Sequence, residues 1–267
     1  MNEYKLIYTT TSSLLNDMGF TNDHIQIIAG PCAVESYEST LEIANFLLKK
    51  NITFLRAGAY KPRTSPYDFQ GLGDEGIDIL IRIKKETGIK IVTEINSVQQ
   101  IPKFVENIDI IQIGARNMQN FELLKALGKT AKPIILKRGF GCTIDEWLGA
   151  AEYILAAGNP NVILCERGIK SFDTTLRNSL DLGAVVYLKQ NIKLPVIVDP
   201  SHAAGNSELV PALALAGIAA GANGLLIEVH NNPHIALSDG QQSLSCAQLN
   251  ELLIALDKIA FAIDKTL

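Results

Sequence analysis

Short runs of aliphatic residues recur along the chain at 25–29, 54–57, 90–93, 110–114, 133–136, 161–164, 195–198 and 224–227, each bounded by turn-forming residues. Runs of that length, rich in Ile, Val and Leu, read as buried strands. Between them, at 39–50, 76–87, 144–156 and 208–220, apolar and polar positions follow a helical period over at least three turns. Strands that are apolar on both faces and separated by helices imply parallel pairing, because a parallel neighbour needs a crossover connection. Eight such units in 267 residues fit a single α/β domain, a (β/α)8 TIM barrel, for which about 250 residues is typical. A doubly wound open sheet has the same periodicity, since the pattern does not report closure. Residues 1–24 read as a short N-terminal extension and 25–267 as the barrel, with no linker or low-complexity segment dividing the chain. Within the extension, Tyr4, Leu6, Ile7 and Tyr8 are spaced like a short strand that covers the barrel floor or joins a subunit contact.

Composition removes several other classes. A hydrophobic content of 47% can fill a large core, and no apolar run approaches the roughly 20 residues of a membrane span. The most apolar stretch, 212–222, is short and rich in small residues, as in a buried helix. Glu3 and Asp17 interrupt the N-terminus, which has no signal-type apolar core, so a cytoplasmic protein is expected. Four cysteines without close pairing suit reduced thiols and not a disulfide framework. A net charge of −4 argues against nucleic acid as a partner, and nothing suggests a membrane.

Against that mild acidity, basic residues gather just after the predicted strands: Arg56, Lys61 and Arg63, then Arg116, Lys137, Arg138 and Arg167. In a barrel these loops converge on the C-terminal face, where such folds place their active sites. Any one of these residues reads as an ordinary solvated charge, but together they form a cationic mouth for a polyanionic ligand. Four metal-competent side chains sit on the same loops. Cys32 ends the first strand, His202 follows the seventh, and Glu228 and Asp239 follow the eighth. Singly, Cys32 reads as a small buried hydrophobe, His202 as a hydrogen-bonded loop residue and the acids as ordinary acids. Jointly they are neighbours, because the first, seventh and eighth strands adjoin in a closed barrel. A thiolate, an imidazole and two carboxylates suit a divalent metal ion such as Mn2+, Fe2+, Co2+ or Zn2+ better than Mg2+. Cys142, Cys165 and Cys246 have no such company and read as core or surface thiols. His230, two residues beyond Glu228, shares its face and is expected behind the ligands.

These segments, taken in order, carry a family resemblance. Ala-Gly-Pro-Cys (29–32), Arg56, Lys-Pro-Arg-Thr-Ser (61–65), Gln-Ile-Gly-Ala-Arg-Asn (112–117), Leu-Lys-Arg-Gly (136–139), Glu-Arg-Gly (166–168), Asp-Pro-Ser-His (199–202), Glu-Val-His (228–230) and Leu-Ser-Asp-Gly (237–240) resemble the 3-deoxy-D-arabino-heptulosonate 7-phosphate (DAHP) synthases of the small microbial type Iβ form. The resemblance implies condensation of phosphoenolpyruvate with erythrose 4-phosphate, a homotetramer and a divalent ion as Lewis acid. It also implies that Arg56, Lys61, Arg116, Lys137 and Arg167 hold phosphoenolpyruvate, while Pro62, Arg63 and Thr64 help hold erythrose 4-phosphate. Lys61 is the implied candidate for protonating the aldehyde oxygen, and Glu94, at the end of the third strand, for orienting the attacking water.

The chain departs from the family pattern at Asn206-Ser207, Asn231 and Gln241, beside the ligands but not at them. Three rival readings are kept. A 3-deoxy-D-manno-octulosonate 8-phosphate synthase would tend to carry an Asn-containing segment in place of Lys61-Pro62-Arg63-Thr64. A Schiff-base aldolase would use Lys137 and leave the metal ligands idle, and a non-catalytic phosphosugar-binding barrel would not need them. With about 24 residues before the first strand and about 20 after the last motif, against about 50 for a small domain, no room is expected for a regulatory domain. Aromatic amino acids, chorismate and prephenate are therefore expected to leave the rate unchanged.

Overall fold

The eight apolar runs pair as strands because each carries apolar residues on both faces, and only a sheet covered on both sides satisfies them. The computed structural model describes residues 4–63 and 65–267. Its strands are β1 (Gln26–Gly30), β2 (Phe54–Arg56), β3 (Lys90–Ile95), β4 (Ile110–Ile113), β5 (Ile134–Lys137), β6 (Val162–Glu166), β7 (Val196–Val198) and β8 (Gly224–His230), with a short β9 (Leu244–Ser245) beside the end of β8. All pair in parallel and in sequence order, and β8 pairs back on β1 with Gln26 opposite Gly224 and Gly30 opposite Glu228. That last pairing closes the barrel and rules out the open sheet. Gly224 permits the seam: a Cβ there would lie 2.2 Å from the Gln26 carbonyl oxygen.

The helices are α1 (Leu6–Thr9), α2 (Ser13–Asp17), α3 (Tyr37–Lys49), α4 (Asp74–Thr87), α5 (Ile101–Asn107), α6 (Phe121–Gly128), α7 (Ile144–Ala156), α8 (Leu182–Asn191), α9 (Pro200–Ala204), α10 (Val210–Ala219) and α11 (Cys246–Ala262). Helix α7 starts at a capping box, Thr143 and Glu146 each satisfying the other's backbone N–H. The apolar stretch 212–222 is less enclosed than expected. Ala214, Gly217 and Ile218 on α10 face inward, whereas Ala212 and Ala219 are exposed. Among the described residues no helix is long and apolar enough to cross a membrane.

Strand periodicity divides the core in two. Ile28, Phe54, Val92, Ile110, Ile135, Ile163, Ile197 and Leu226 fill the barrel interior, while their chain neighbours, such as Leu55, Ile91, Ile111 and Leu164, pack under the helices. Two residues further on, the same inward face carries Gly30, Arg56, Glu94, Gln112, Lys137, Cys165, Asp199 and Glu228. The interior therefore changes from apolar to polar over one repeat, and the polar layer lies at the C-terminal mouth.

The N-terminal segment does not form the expected strand. It forms two helices because its backbone N–H groups find acceptors from elsewhere: the Glu152 carboxylate on α7 receives those of Lys5, Leu6 and Ile7 at 3.0, 2.9 and 2.8 Å. The floor is covered instead by α2 and the turn after it. Leu15, Met18 and Phe20 join the interior cluster, and the Phe20 ring lies 6.0 Å from that of Phe54. Ser12 caps α2 by accepting from Leu15 N at 3.1 Å and donates to Asn161 Oδ1 at 2.6 Å.

Candidate active site at the C-terminal mouth

Strand ends β1 and β8 and the loop after β8 bring Cys32, Glu228 and Asp239 together, with one donor atom of each within 4.8 Å of the others. Cys32 Sγ lies 3.1 Å from Asp239 Oδ2, 2.9 Å from Ser238 Oγ and 2.9 Å from Lys61 Nζ. Asp239 takes the left-handed conformation (φ +53°), which turns its carboxylate back into the barrel. Burial, followed by the Glu228 charge, pushes the Cys32 thiol up to about 12, against the Lys61 ammonium. Burial would also raise Asp239, but His202, the Cys32 hydrogen bond and Arg177 hold its carboxyl down to about 2. A buried thiol crowded by two carboxylates is a poor anion by itself and a good donor to a cation. One soft sulfur with two hard oxygens fits a divalent transition ion.

His202 stands beside these three, its Nε2 3.4 Å from Glu228 Oε1. Its other nitrogen, Nδ1, lies 2.7 Å from Asp199 Oδ2, off the line of a hydrogen bond and without another partner among the described residues. Burial lowers the His202 pKa despite Asp199 and Glu228. Asp199, fully buried, also accepts from Lys137 Nζ at 2.6 Å and His202 N at 2.9 Å. Burial would raise its carboxyl, but the His202 and Lys137 charges hold it well below the usual range. One carboxylate thus joins the metal-competent cluster to the cations across the mouth. A carboxylate behind a ligating histidine helps orient its ring.

The cations surround a cavity of about 230 Å3 lined by Lys61, Pro62, Arg63, Arg116, Lys137, Arg167, Lys170, Arg177 and His202, with Glu94 and Asp239 as its acids. Arg116 and Arg167 flank Phe140, 5.3 and 4.7 Å from its ring centre. Glu94 Oε2 accepts from Gln112 Nε2 at 2.8 Å, and its carboxylate occupies the space a Cβ on Gly114 would need. Below the cavity, Arg56 donates to Glu228 Oε1 at 2.8 Å and to the Pro31 carbonyl at 3.0 Å, while its Nε has no partner among the described residues. A void of about 10 Å3 between Arg56, Lys61, Glu94 and Gln112 has room for about one water.

One expected placement needs correction. Arg138 does not face the mouth. Strand alternation turns it outward, where it donates to Glu166 Oε2 at 3.0 Å and Asp181 Oδ2 at 2.9 Å. His230 lies beside Glu35, with Nε2 3.4 Å from Oε2. Thr64 lies outside the described residues. Cys165 is buried in the barrel interior, as a core thiol. The departures at Asn206, Ser207, Asn231 and Gln241 tie loops together: Asn206 Oδ1 accepts from Glu208 N, Ser207 N donates to Gln241 O, and Asn231 joins Ser39 and Glu42.

Sequence reasoning missed Asp199, Gln112, Lys170, Arg177 and Gln242, whose Nε2 donates to Glu228 Oε2 at 2.5 Å. Asp199 and Gln112 were findable, each sitting two residues past an inward apolar position. Arg177 carried no such signal, because it lies in a long loop away from any strand end.

The sequence profile of the DAHP synthetase I family matches residues 14–265. The chain is 49% identical over 249 residues to the phospho-2-dehydro-3-deoxyheptonate aldolase of Thermotoga maritima, covering 93% of this chain and 74% of that protein. It is 34% identical over 266 residues to the 2-dehydro-3-deoxyphosphooctonate aldolase of Desulfosudis oleivorans, covering 92% and 95%. The crystal structure of the phospho-2-dehydro-3-deoxyheptonate aldolase (DAHP synthase) of Thermotoga maritima aligns over 100% of this chain and 80% of that one, with TM-score 0.94 and 46% identity. A truncated form of 3-deoxy-D-arabino-heptulosonate 7-phosphate synthase from the same organism covers 92% and 90%, with TM-score 0.85 and 45% identity.

Proposed function

Because the chain belongs to the DAHP synthetase I family, we propose that it condenses phosphoenolpyruvate, erythrose 4-phosphate and water to 3-deoxy-D-arabino-heptulosonate 7-phosphate and phosphate, the first step of the shikimate pathway. The observation that carries the reading is the pairing of a cation-lined cavity with an adjoining thiol and carboxylate cluster. Two phosphorylated substrates account for the first and an aldehyde acceptor for the second. Residues 25–267 would be the catalytic barrel, with 1–24 as a short extension.

In this reaction C3 of phosphoenolpyruvate attacks the aldehyde carbon, water adds at C2 and phosphate leaves by C–O cleavage. Lys61, Arg116, Lys137 and Arg167, with the unpartnered Nε of Arg56 beneath, are suited to the carboxylate and phosphate of phosphoenolpyruvate. Pro62, Arg63 and Thr64 are assigned to the aldose phosphate. Cys32, His202, Glu228 and Asp239 would hold a divalent ion such as Mn2+, Fe2+, Co2+ or Zn2+, which supplies Lewis acidity toward the aldehyde oxygen when bound. Lys61 Nζ, 2.9 Å from Cys32 Sγ, stands beside the proposed ligands and would serve as the proton donor to that oxygen. Glu94, beside a void of one-water size, orients the water that adds at C2.

The test is phosphate release from phosphoenolpyruvate across a panel of aldose phosphates, with and without chelator. Turnover is expected with erythrose 4-phosphate, lost in chelator and restored by Mn2+ or a similar ion. Preference for arabinose 5-phosphate, or undiminished turnover in chelator, would overturn the assignment.

A further inference from the structure

Between β6 and α8 the chain makes an excursion over the mouth, and both ends of it are pinned. Ile169 and Ser179 pair as an antiparallel bridge with N–H···O distances of 3.0 and 2.9 Å. Lys170 N donates to Phe140 O at 2.7 Å; Asn178 N donates to Ala203 O at 3.1 Å, and its Nδ2 to His202 O at 2.8 Å. Two glycines with left-handed backbones clear the space. At Gly168 (φ +86°) a Cβ would lie 2.7 Å from the Asn178 Cβ, and at Gly205 (φ +68°) a Cβ would lie 2.6 Å from that of Arg177. The result is a strap that delivers Arg177 to the cavity wall.

There Arg177 and Arg63 meet the Asp239 carboxylate from two sides. Arg177 Nη1 lies 3.5 Å from Oδ1 and Arg63 Nη1 4.0 Å from Oδ2, while Arg177 also donates to Gln242 Oε1. Two guanidiniums on one carboxylate leave an unneutralised positive charge on the wall of the cavity. The charge balance points the same way. Seven lining cations less two lining acids gives +5. Phosphoenolpyruvate carries about −3 and an aldose phosphate about −2 near neutral pH, since a phosphate monoester is close to doubly ionised there.

We propose that Arg177 binds the terminal phosphate of the aldose phosphate together with Arg63, as a specificity residue for the acceptor. This rests on the condensation proposed above. The planar fork of arginine suits a phosphate bidentately, and the strap holds it in position before the substrate arrives.

The experiment compares erythrose 4-phosphate with unphosphorylated erythrose as acceptor, using the metal-loaded parent, Arg177→Gln and Arg177→Lys at saturating phosphoenolpyruvate. For Arg177→Gln, kcat/KM for erythrose 4-phosphate is expected to fall about tenfold or more, as for loss of a charge-assisted contact. The rate with erythrose and the KM for phosphoenolpyruvate should stay near the parent's, and Arg177→Lys should recover part of the loss. An equal fall with both acceptors would overturn the proposal and reduce Arg177 to a support for Asp239 and Gln242. So would an unchanged preference for erythrose 4-phosphate. If the parent itself fails to use erythrose 4-phosphate, it is the condensation reading that falls.

Discussion

At the scale of single residues, chemistry depends on who stands beside whom. Cys32 is a protonated thiol among carboxylates until a cation replaces its proton. Cys32→Ala should therefore abolish the sulfur-to-metal absorption of the Co2+-loaded protein as well as turnover, with the fold intact; an unchanged cobalt spectrum would remove Cys32 from the site. Lys137 sits against Asp199, which also touches His202. Lys137→Ala should weaken phosphoenolpyruvate binding by about 2–5 kcal/mol, the usual loss when one member of a buried charge pair is truncated. Calorimetric titration would read it, and parent-like affinity would refute the anion-site assignment. Gly114 has ordinary backbone angles, so its lack of a side chain has another cause: a Cβ would lie 2.1 Å from Glu94 Oε1. Gly114→Ala is expected to displace that carboxylate and lower kcat more than it raises either KM. A kcat equal to the parent's would free Glu94 from the mechanism.

Among the elements, the strands were legible in the sequence to within three residues at each end, since runs such as 110–114 and 224–227 are too apolar to lie anywhere but inside a covered sheet. Helix α7 was legible at both ends, because Thr143 and Glu146 announce its start. The N-terminal segment was not. A period of two over five residues is a weak signal, and the Glu152 carboxylate that makes α1 a helix is far away in sequence. The floor contacts carry a pH prediction. Lys189 on α8 donates to Asn22 Oδ1 at 2.8 Å and Asn223 Oδ1 at 2.7 Å, tying the turn after α2 to the start of β8. Burial, then the Lys265 charge, lowers its pKa from 10.5 to about 8. Below pH 8 both folded and unfolded chains hold the proton, so the cost of burying the charge is fully present. Between about 8 and 10.5 the unfolded chain binds more protons, so this lysine's contribution to stability rises with pH. Urea midpoints of the parent should thus gain on those of Lys189→Met from pH 8 to 10. Parallel curves would show that Lys189 keeps an ordinary pKa.

For the whole molecule, closure is the event that makes the site. Only when β8 meets β1 do Cys32, His202, Glu228 and Asp239 come from adjacent strand ends, and Gly224 lets the two backbones approach. Gly224→Ala should overpack the seam and destabilise the fold by about 1–3 kcal/mol, read as a lower urea midpoint with the slope unchanged; parent-like stability would mean the seam can yield. The amino-acid order by itself determined the alternation of strand and helix, the parallel pairing, the polar layer at the strand ends and the identity of most charged groups there, because these follow from local periodicity. It could not determine closure, the pairing of Asp199 with both Lys137 and His202, or the arrival of Arg177 by way of a strap. Those depend on contacts between segments distant in the chain, and only the tertiary structure, which sets the distances, decides which charges meet.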